Sequence, residues 1–514
     1  LCPKCIKPFG LAGKNAIHCV TLLENNPLLS SSRALWMAFL PASEVAKLTS
    51  TEPNFATKRL SDAPALSACS GLPAARRLRR QGTAIPAQAG SGKNPSEPAQ
   101  VNFFEYRNQQ LHVENVPASQ IAAQFGTPCY VYSQSALEHA FQQYSQAFAG
   151  HDHLVCYAMK ANSNLSILKL FASLGAGFDI VSGGELQRVL AIGADPAMVV
   201  FSGVGKSEEE IRMALDAGIL CFNVESIAEL HRINAIAGDM GKRAPISLRV
   251  NPDVDAKTHP YISTGLKDNK FGIAFGDALD TYKAAAAMAN IQVTGIDCHI
   301  GSQLTEISPF VAAVEKLLTL IDQLEAAGIK LHHVDLGGGV GIRYDDETPI
   351  VIADYAQALL GKLAGRHFKI ILEPGRFMVG NAGMLLTKVE YLKSNEQKHF
   401  AVIDGAMNDL MRPSLYEAYH LIQPVLQTNA TSRVYDVVGP VCESGDFLGK
   451  GRELTIDTGD VLAVMSAGAY GMAMSSNYNT RNRAAELLVK GDSVKQIRQR
   501  ESYQQQLSNE LACL

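Results

Sequence analysis

At 514 residues, 47% hydrophobic content and a formal charge of -4, the chain is long enough to bury one large core and a smaller second one. No apolar run reaches the roughly 18 residues that cross a bilayer, and the charge balance calls for no polyanion, so neither a membrane nor nucleic acid is expected as a partner. The 10 cysteines lack the dense, regular spacing of a secreted disulfide scaffold. Cys156, Cys221 and Cys298 sit in apolar strand-like runs, as small buried thiols do, and a reducing cytoplasm fits them best.

Residues 1–100 differ in composition from the rest of the chain. They hold 10 of the 22 prolines and 12 Lys and Arg against 5 Asp and Glu, and sustain no helical or strand periodicity. Their last stretch, 88–100, has the composition of a linker. A disordered N-terminal extension is therefore expected. Arg76, Arg77, Arg79 and Arg80 would suit a transit peptide, and 34–40 after Arg33 faintly resembles a signal core. The reading adopted is a leader outside the working protein, because the chain opens without Met and a compact domain begins at 101–104. Cys2 and Cys5 form a CxxC with no second pair at zinc-ligand spacing, so no metal site is expected.

From residue 129 onward, short aliphatic or β-branched runs alternate with longer stretches of helical period. Strands are expected near 154–159, 177–181, 198–202, 220–224, 246–250, 293–299, 332–336 and 368–372, with amphipathic helices such as 207–217, 226–237 and 309–327 between them. Eight such units predict a closed (β/α)8 barrel over 129–376. An open doubly wound sheet is the alternative, but no GxGxxG turn follows the first strand. After Arg376 the segments 384–391, 400–404, 432–438 and 461–465 read as strands of a second, mostly β domain, assigned to 101–128 plus 377–514. The tail, 484–514, reads as helical, polar and peripheral.

Barrel enzymes place reactive groups where strands end at the C-terminal face. Here the strand ends carry Lys160, Asp179 with Ser182, Ser202 with Gly203, Glu225, Arg249 with Asn251, His299 with Ser302, Gly337 to Gly339, and Glu373 with Arg376. Glycines in the loops after strands seven and eight let backbone N–H groups approach a phosphate. A lysine across the mouth can condense with an aldehyde, and a carboxylate can keep a pyridine nitrogen protonated. Together these imply pyridoxal 5'-phosphate as cofactor.

The stretches Tyr157-Ala158-Met159-Lys160-Ala161-Asn162, His299-Ile300-Gly301-Ser302, Gly337-Gly338-Gly339, Glu373-Pro374-Gly375-Arg376, Cys442-Glu443-Ser444-Gly445-Asp446 and Gly468-Ala469-Tyr470 resemble the motifs of fold-type III pyridoxal-phosphate decarboxylases. Within them the likeness is greatest to the diaminopimelate decarboxylase family, over about 101–490. The resemblance implies an alanine-racemase-like barrel plus β domain, homodimers with shared active sites, and conversion of meso-2,6-diaminopimelate to L-lysine and carbon dioxide, the last step of lysine biosynthesis.

The same resemblance implies that Lys160 holds the cofactor covalently, with Asp179 in the cofactor site, that Glu373 pairs with the pyridine nitrogen and that His299 stacks on the ring. Ser302, Gly337, Gly338, Gly339, Pro374, Gly375 and Arg376 would bind the phosphate or its surroundings, with Tyr470 beside them. Arg376, Arg412 and Tyr416 would contact the distal carboxylate of the substrate and Glu443 its distal ammonium, with Tyr470 again close by. Cys442 would return a proton to the carbon that loses carbon dioxide. Glu373 and Cys442 speak against an amino acid racemase, which prefers an arginine at the ring nitrogen and a tyrosine as second base. Arg412 speaks against an ornithine or arginine decarboxylase, whose substrates end in a cation. Lys160, Cys442 and Glu443 together speak against a catalytically silent homologue.

Overall fold

The structure, a computed structural model, describes residues 103–254 and 270–514. The leader reading and the Cys2–Cys5 pair lie outside the described residues.

Eight strands form the ring: β1 (His153–Ala158), β2 (Gly177–Ile180), β3 (Val199–Phe201), β4 (Cys221–Val224), β5 (Ala244–Asn251), β6 (Ile291–Asp297), β7 (His333–Asp335) and β8 (Lys369–Leu372). Each pairs in parallel with the next. The last returns to the first, Ile371 opposite Leu154, which closes the barrel. Because helices cover the outside and side chains fill the inside, these strands are largely buried on both faces, as in Gly177–Ile180, Val199–Phe201 and Cys221–Val224. Phe178, Phe201 and Phe222, from three successive strands, are all but fully buried.

The connecting helices begin where the sequence places caps. Ser207 accepts from the Glu210 N–H while the Glu210 side chain reaches back to Ser207, a reciprocal box that starts helix Glu208–Ala217. Ser226 likewise caps Ile227–Asp239. Among the described residues no helix is long and apolar enough to cross a membrane.

The second layer is a β sheet ordered Phe447–Leu454, Arg433–Val438, His399–Ile403, Gly383–Ser394, Cys129–Ser133, Ala485–Lys490 and Ser493–Arg498. Val461–Val464 pairs with both Gly383–Ser394 and Ile422–Pro424 beside it. Two features depart from the sequence expectations. Cys129–Ser133, expected at the head of the barrel segment, pairs instead with Gly383–Ser394 and Ala485–Lys490 in this sheet. The tail contributes two strands before its helix Tyr503–Leu511, and Ala485–Lys490 is buried except at its end. The misleading residue is Glu486, fully buried because its carboxylate accepts from the Tyr132 hydroxyl at 2.7 Å and the Asn164 amide at 2.8 Å, and pairs with Arg498. A charge paired in this way belongs inside a sheet as readily as on a helix surface.

Candidate active site

The strand ends converge on a cavity of about 560 Å³ lined jointly by the barrel and by loops and short helices of the β domain. Lys160 sits on the single 3-10 turn after β1, and its Nζ lies 3.0 Å from Asp179 Oδ2 of β2. Asp179 is completely buried, and among the described residues its other oxygen, Oδ1, has no hydrogen-bond partner. Burial works against the lysine charge, but the Asp179 and Glu373 carboxylates outweigh it and hold the ammonium above its ordinary range. The turn is tied to the β domain: Tyr470 N–H donates to the Ala161 carbonyl at 2.8 Å, and Asn162 Nδ2 to the Gly468 carbonyl at 3.2 Å. These contacts hold Tyr470, at φ 55°, in the cavity wall.

Glu373 follows β8, the strand next to β1 in the ring, and is buried with Oε1 accepting from Asn223 Nδ2 at 3.2 Å and Ser202 Oγ at 3.4 Å. Behind it lie Asp297 and Asp335 from β6 and β7, with carboxyl oxygens of all three within 4.8 Å of one another. Burial, then repulsion by neighbouring carboxylates, pushes Asp297 and Glu373 well above the carboxylate range, and burial with the Asp179 charge, against the Gly337 N–H bond, brings Asp335 up to about 7. Such spacing could also bridge a cation, but of the three only Glu373 lines the cavity. The Arg249 charge works the other way on Asp297, while its Nη1 pairs with Glu225 at 2.9 Å.

The loop after β7 is a backbone cradle. Gly337 and Gly339 adopt φ of 65° and 114°, and a Cβ on Gly338 would stand 2.1 Å from the Glu373 carbonyl oxygen. Gly337 N–H donates to Asp335 at 2.9 Å and Gly338 N–H to His299 Nδ1 at 3.2 Å. Accepting there, the His299 ring is neutral at Nδ1, and burial with the Arg249 and Lys160 charges holds its pKa far down. Pro374 connects the cradle to β1, since its carbonyl accepts from the Ala158 N–H at 3.2 Å.

Arg376 closes the far wall. Its Nη2 donates to Ser302 Oγ at 3.1 Å and its Nη1 to the Tyr344 hydroxyl at 2.7 Å, and its guanidinium lies 5.0 Å from the Tyr470 ring centre. Arg412, from the β domain, lies 4.9 Å from the Tyr344 ring centre, and Tyr416 lines the cavity on the same short helix, Arg412–Tyr416. Both arginines are buried, and among the described residues neither has a carboxylate partner. Two desolvated cations side by side make a site that favours an anion.

Lys160, His299, Ser302, Gly339, Glu373, Gly375, Arg376, Arg412, Tyr416 and Tyr470 all line this one cavity. Asp179, Gly337, Gly338 and Pro374 stand behind that lining, each holding a residue of it or of its backbone. Cys442 and Glu443 are not among the lining residues of their own chain's cavity; both are exposed. Sequence reasoning missed Asn223, Asp297, Asp335 and Tyr344. The first three are polar residues inside apolar strand runs, a signal that can be read from the sequence, whereas Tyr344 lies in a loop without one.

A group suited to this pocket needs an aldehyde for Lys160, an anion for the glycine loop and a cationic ring atom for Glu373, whose Oε1 accepts only from the neutral Ser202 and Asn223 side chains among the described residues. These demands fit pyridoxal 5'-phosphate, and a family model described as the pyridoxal-binding domain of pyridoxal-dependent decarboxylases matches residues 134–380. The fold and site thus define a pyridoxal-dependent decarboxylase of the barrel type.

The relatives narrow this further. A diaminopimelate decarboxylase of Neisseria meningitidis serogroup B is 60% identical over 404 residues, 79% of this chain and 98% of that one. One of Pseudomonas aeruginosa is 56% identical over 410 residues, 80% and 99% of the two chains. The crystal structure of diaminopimelate decarboxylase from Helicobacter pylori complexed with L-lysine superposes with a TM-score of 0.75 at 45% identity, covering 77% of this chain and all of that one. The chain belongs to the diaminopimelate decarboxylase family.

Proposed function

We propose that this protein decarboxylates meso-2,6-diaminopimelate to L-lysine and carbon dioxide with pyridoxal 5'-phosphate as cofactor. The observation that carries the substrate is the pair of buried, unneutralised guanidiniums, Arg376 and Arg412, in the same cavity as Lys160. A substrate with a second carboxylate supplies the missing anion; one that ends in an amine would add a third cation.

When bound, the cofactor supplies a protonated pyridine that draws off the electron pair left as carbon dioxide departs. Lys160 holds it through the ε-amine, with Asp179 positioning that amine. Glu373 holds the ring nitrogen and keeps its proton in place, which stabilises charge that develops only in the transition state. The neutral His299 ring offers a flat apolar face for stacking. Gly337, Gly338, Gly339, Ser302, Gly375 and Arg376 take the phosphate and its surroundings. Arg412, Tyr416 and Arg376 orient the non-reacting carboxylate, Glu443 the non-reacting ammonium, and Tyr470 shields the cavity between them. Cys442 delivers the proton at the reacting carbon.

Since Cys442 and Glu443 are exposed on their own chain, this reading includes a homodimer in which each supplies them to the other's barrel. The free, buried thiols of Cys129, Cys156, Cys221 and Cys298 support a cytoplasmic location. Incubating the pyridoxal-loaded protein with meso-diaminopimelate should give lysine and carbon dioxide in equal amounts. A higher kcat/KM on ornithine or arginine would overturn the substrate assignment.

A further inference from the structure

Arg412 is held from behind. Its Nε donates to His420 Nε2 at 3.3 Å, with both residues buried, and His420 Nδ1 lies 2.9 Å from the Met465 carbonyl oxygen. A carbonyl only accepts, so Nδ1 carries the proton and Nε2 is left as an acceptor for the guanidinium. The imidazole stands edge-on to Tyr344, ring centres 5.3 Å apart, and Tyr344 in turn lies under Arg412. Orientation, tautomer and partner of His420 are therefore all set by the fold.

What stands at this position matters because of what it is not. A carboxylate there would grip Arg412 as firmly but would also neutralise it, and a substrate carboxylate would then have to compete with a resident one. A neutral acceptor leaves the cation uncancelled. Burial together with the Arg412 charge pushes His420 down to about 3, in keeping with the neutral ring that its two hydrogen bonds require. Burial, and the charge of Arg376 beside it, work against the Arg412 cation, which makes an incoming anion the more welcome.

We propose that His420 is a specificity-determining positioning residue: it fixes the Arg412 guanidinium through Nε without neutralising it, leaving the terminal nitrogens charged and aimed at a carboxylate remote from the reacting centre. The inference rests on the reading of Arg412 as the contact for that carboxylate. It assigns to a residue that touches neither substrate nor cofactor the task of keeping an arginine both rigid and unpaired.

Steady-state kinetics of the pyridoxal-loaded enzyme on meso-diaminopimelate, for His420→Ala, His420→Gln, His420→Glu and Arg412→Ala, test it. His420→Ala should raise KM about tenfold, equivalent to about 1.4 kcal/mol, with kcat nearly unchanged. His420→Gln, which keeps a neutral acceptor, should recover most of the affinity. His420→Glu should lose at least as much as Arg412→Ala. Should the alanine variant fail to fold, the Gln and Glu pair, alike in shape and different in charge, decides the matter alone. A Glu variant equal to the Gln variant, or a kcat loss shared by all three at constant KM, would leave only a packing role and overturn the proposal. If Arg412→Ala raises KM while His420→Ala does not, His420 alone falls; if Arg412→Ala keeps the wild-type KM, the distal-carboxylate reading falls and takes this inference with it.

Discussion

The mouth of the barrel and the loop that carries Cys442 are both tightly built, but they satisfy their functional groups in opposite ways. At the mouth, Lys160, Asp179, Glu373 and Arg249 find their partners within one chain: the Lys160–Asp179 pair at 3.0 Å, the Asn223 and Ser202 contacts to Glu373, and the Arg249–Glu225 pair at 2.9 Å. In the loop, Asp446 is buried and braces the backbone by accepting from Met407 N–H at 2.7 Å and Val441 N–H at 2.8 Å. Cys442 N–H is held by Asn479 at 2.9 Å. Yet the Cys442 and Glu443 side chains are presented to solvent. In the proposed homodimer the exposed thiol and carboxylate of this loop would be one half of a site, and the cavity lined by buried arginines the other.

The largest effect that would sharpen this contrast is at Lys160. Lys160→Ala should lower kcat/KM by at least about four orders of magnitude, because the group removed acts as a unit with the cofactor. Borohydride treatment of the loaded wild-type protein should leave a pyridoxyl group that mass spectrometry locates on Lys160. The label on another lysine would break the assignment of the barrel mouth.

A smaller effect concerns the acids behind it. Asp335 is pushed up to about 7 by burial and its neighbours, from an ordinary value of 3.8. Its folded-state pKa is raised, so the stability it contributes is complete below the unfolded value and is lost as pH rises from about 4 towards 7. Asp335→Asn cannot lose that proton. The thermal midpoint of the cofactor-free Asn variant minus that of the wild type should therefore increase with pH across this window. A difference that stays flat would mean Asp335 is not protonated in the folded barrel.

The barrel strands were legible to within one or two residues because burial on both faces favours short, largely apolar runs, repeated here between stretches of helical period. The residues that line the barrel side of the cavity were legible for the same reason: a polar residue closing an apolar run stands at the mouth. What could not be read was set by distant pairing. Cys-Tyr-Val-Tyr-Ser at 129–133 says strand but not which sheet, and Glu486 reads as a helix surface until Tyr132, Asn164 and Arg498 are brought to it. Asn223, Asp297 and Asp335 come from three strands, and only the closed ring gathers the last two around Glu373 and sets Asn223 against it. His420 and Tyr344 lie in loops whose sequence carries no period.

The most direct measurement is complementation between the two halves. Lys160→Ala and Cys442→Ala proteins, each inactive on meso-diaminopimelate, are mixed in equal amounts and allowed to exchange subunits, and heterodimers are counted by mass. If Cys442 serves the partner's barrel, one site in each heterodimer is built wholly from wild-type groups, and activity should return to about a quarter of the wild-type level, since about half the dimers are mixed and each holds one intact site of two. Demonstrated heterodimers with no recovered activity would contradict the account and return Cys442 to its own chain's site or remove it from the reaction.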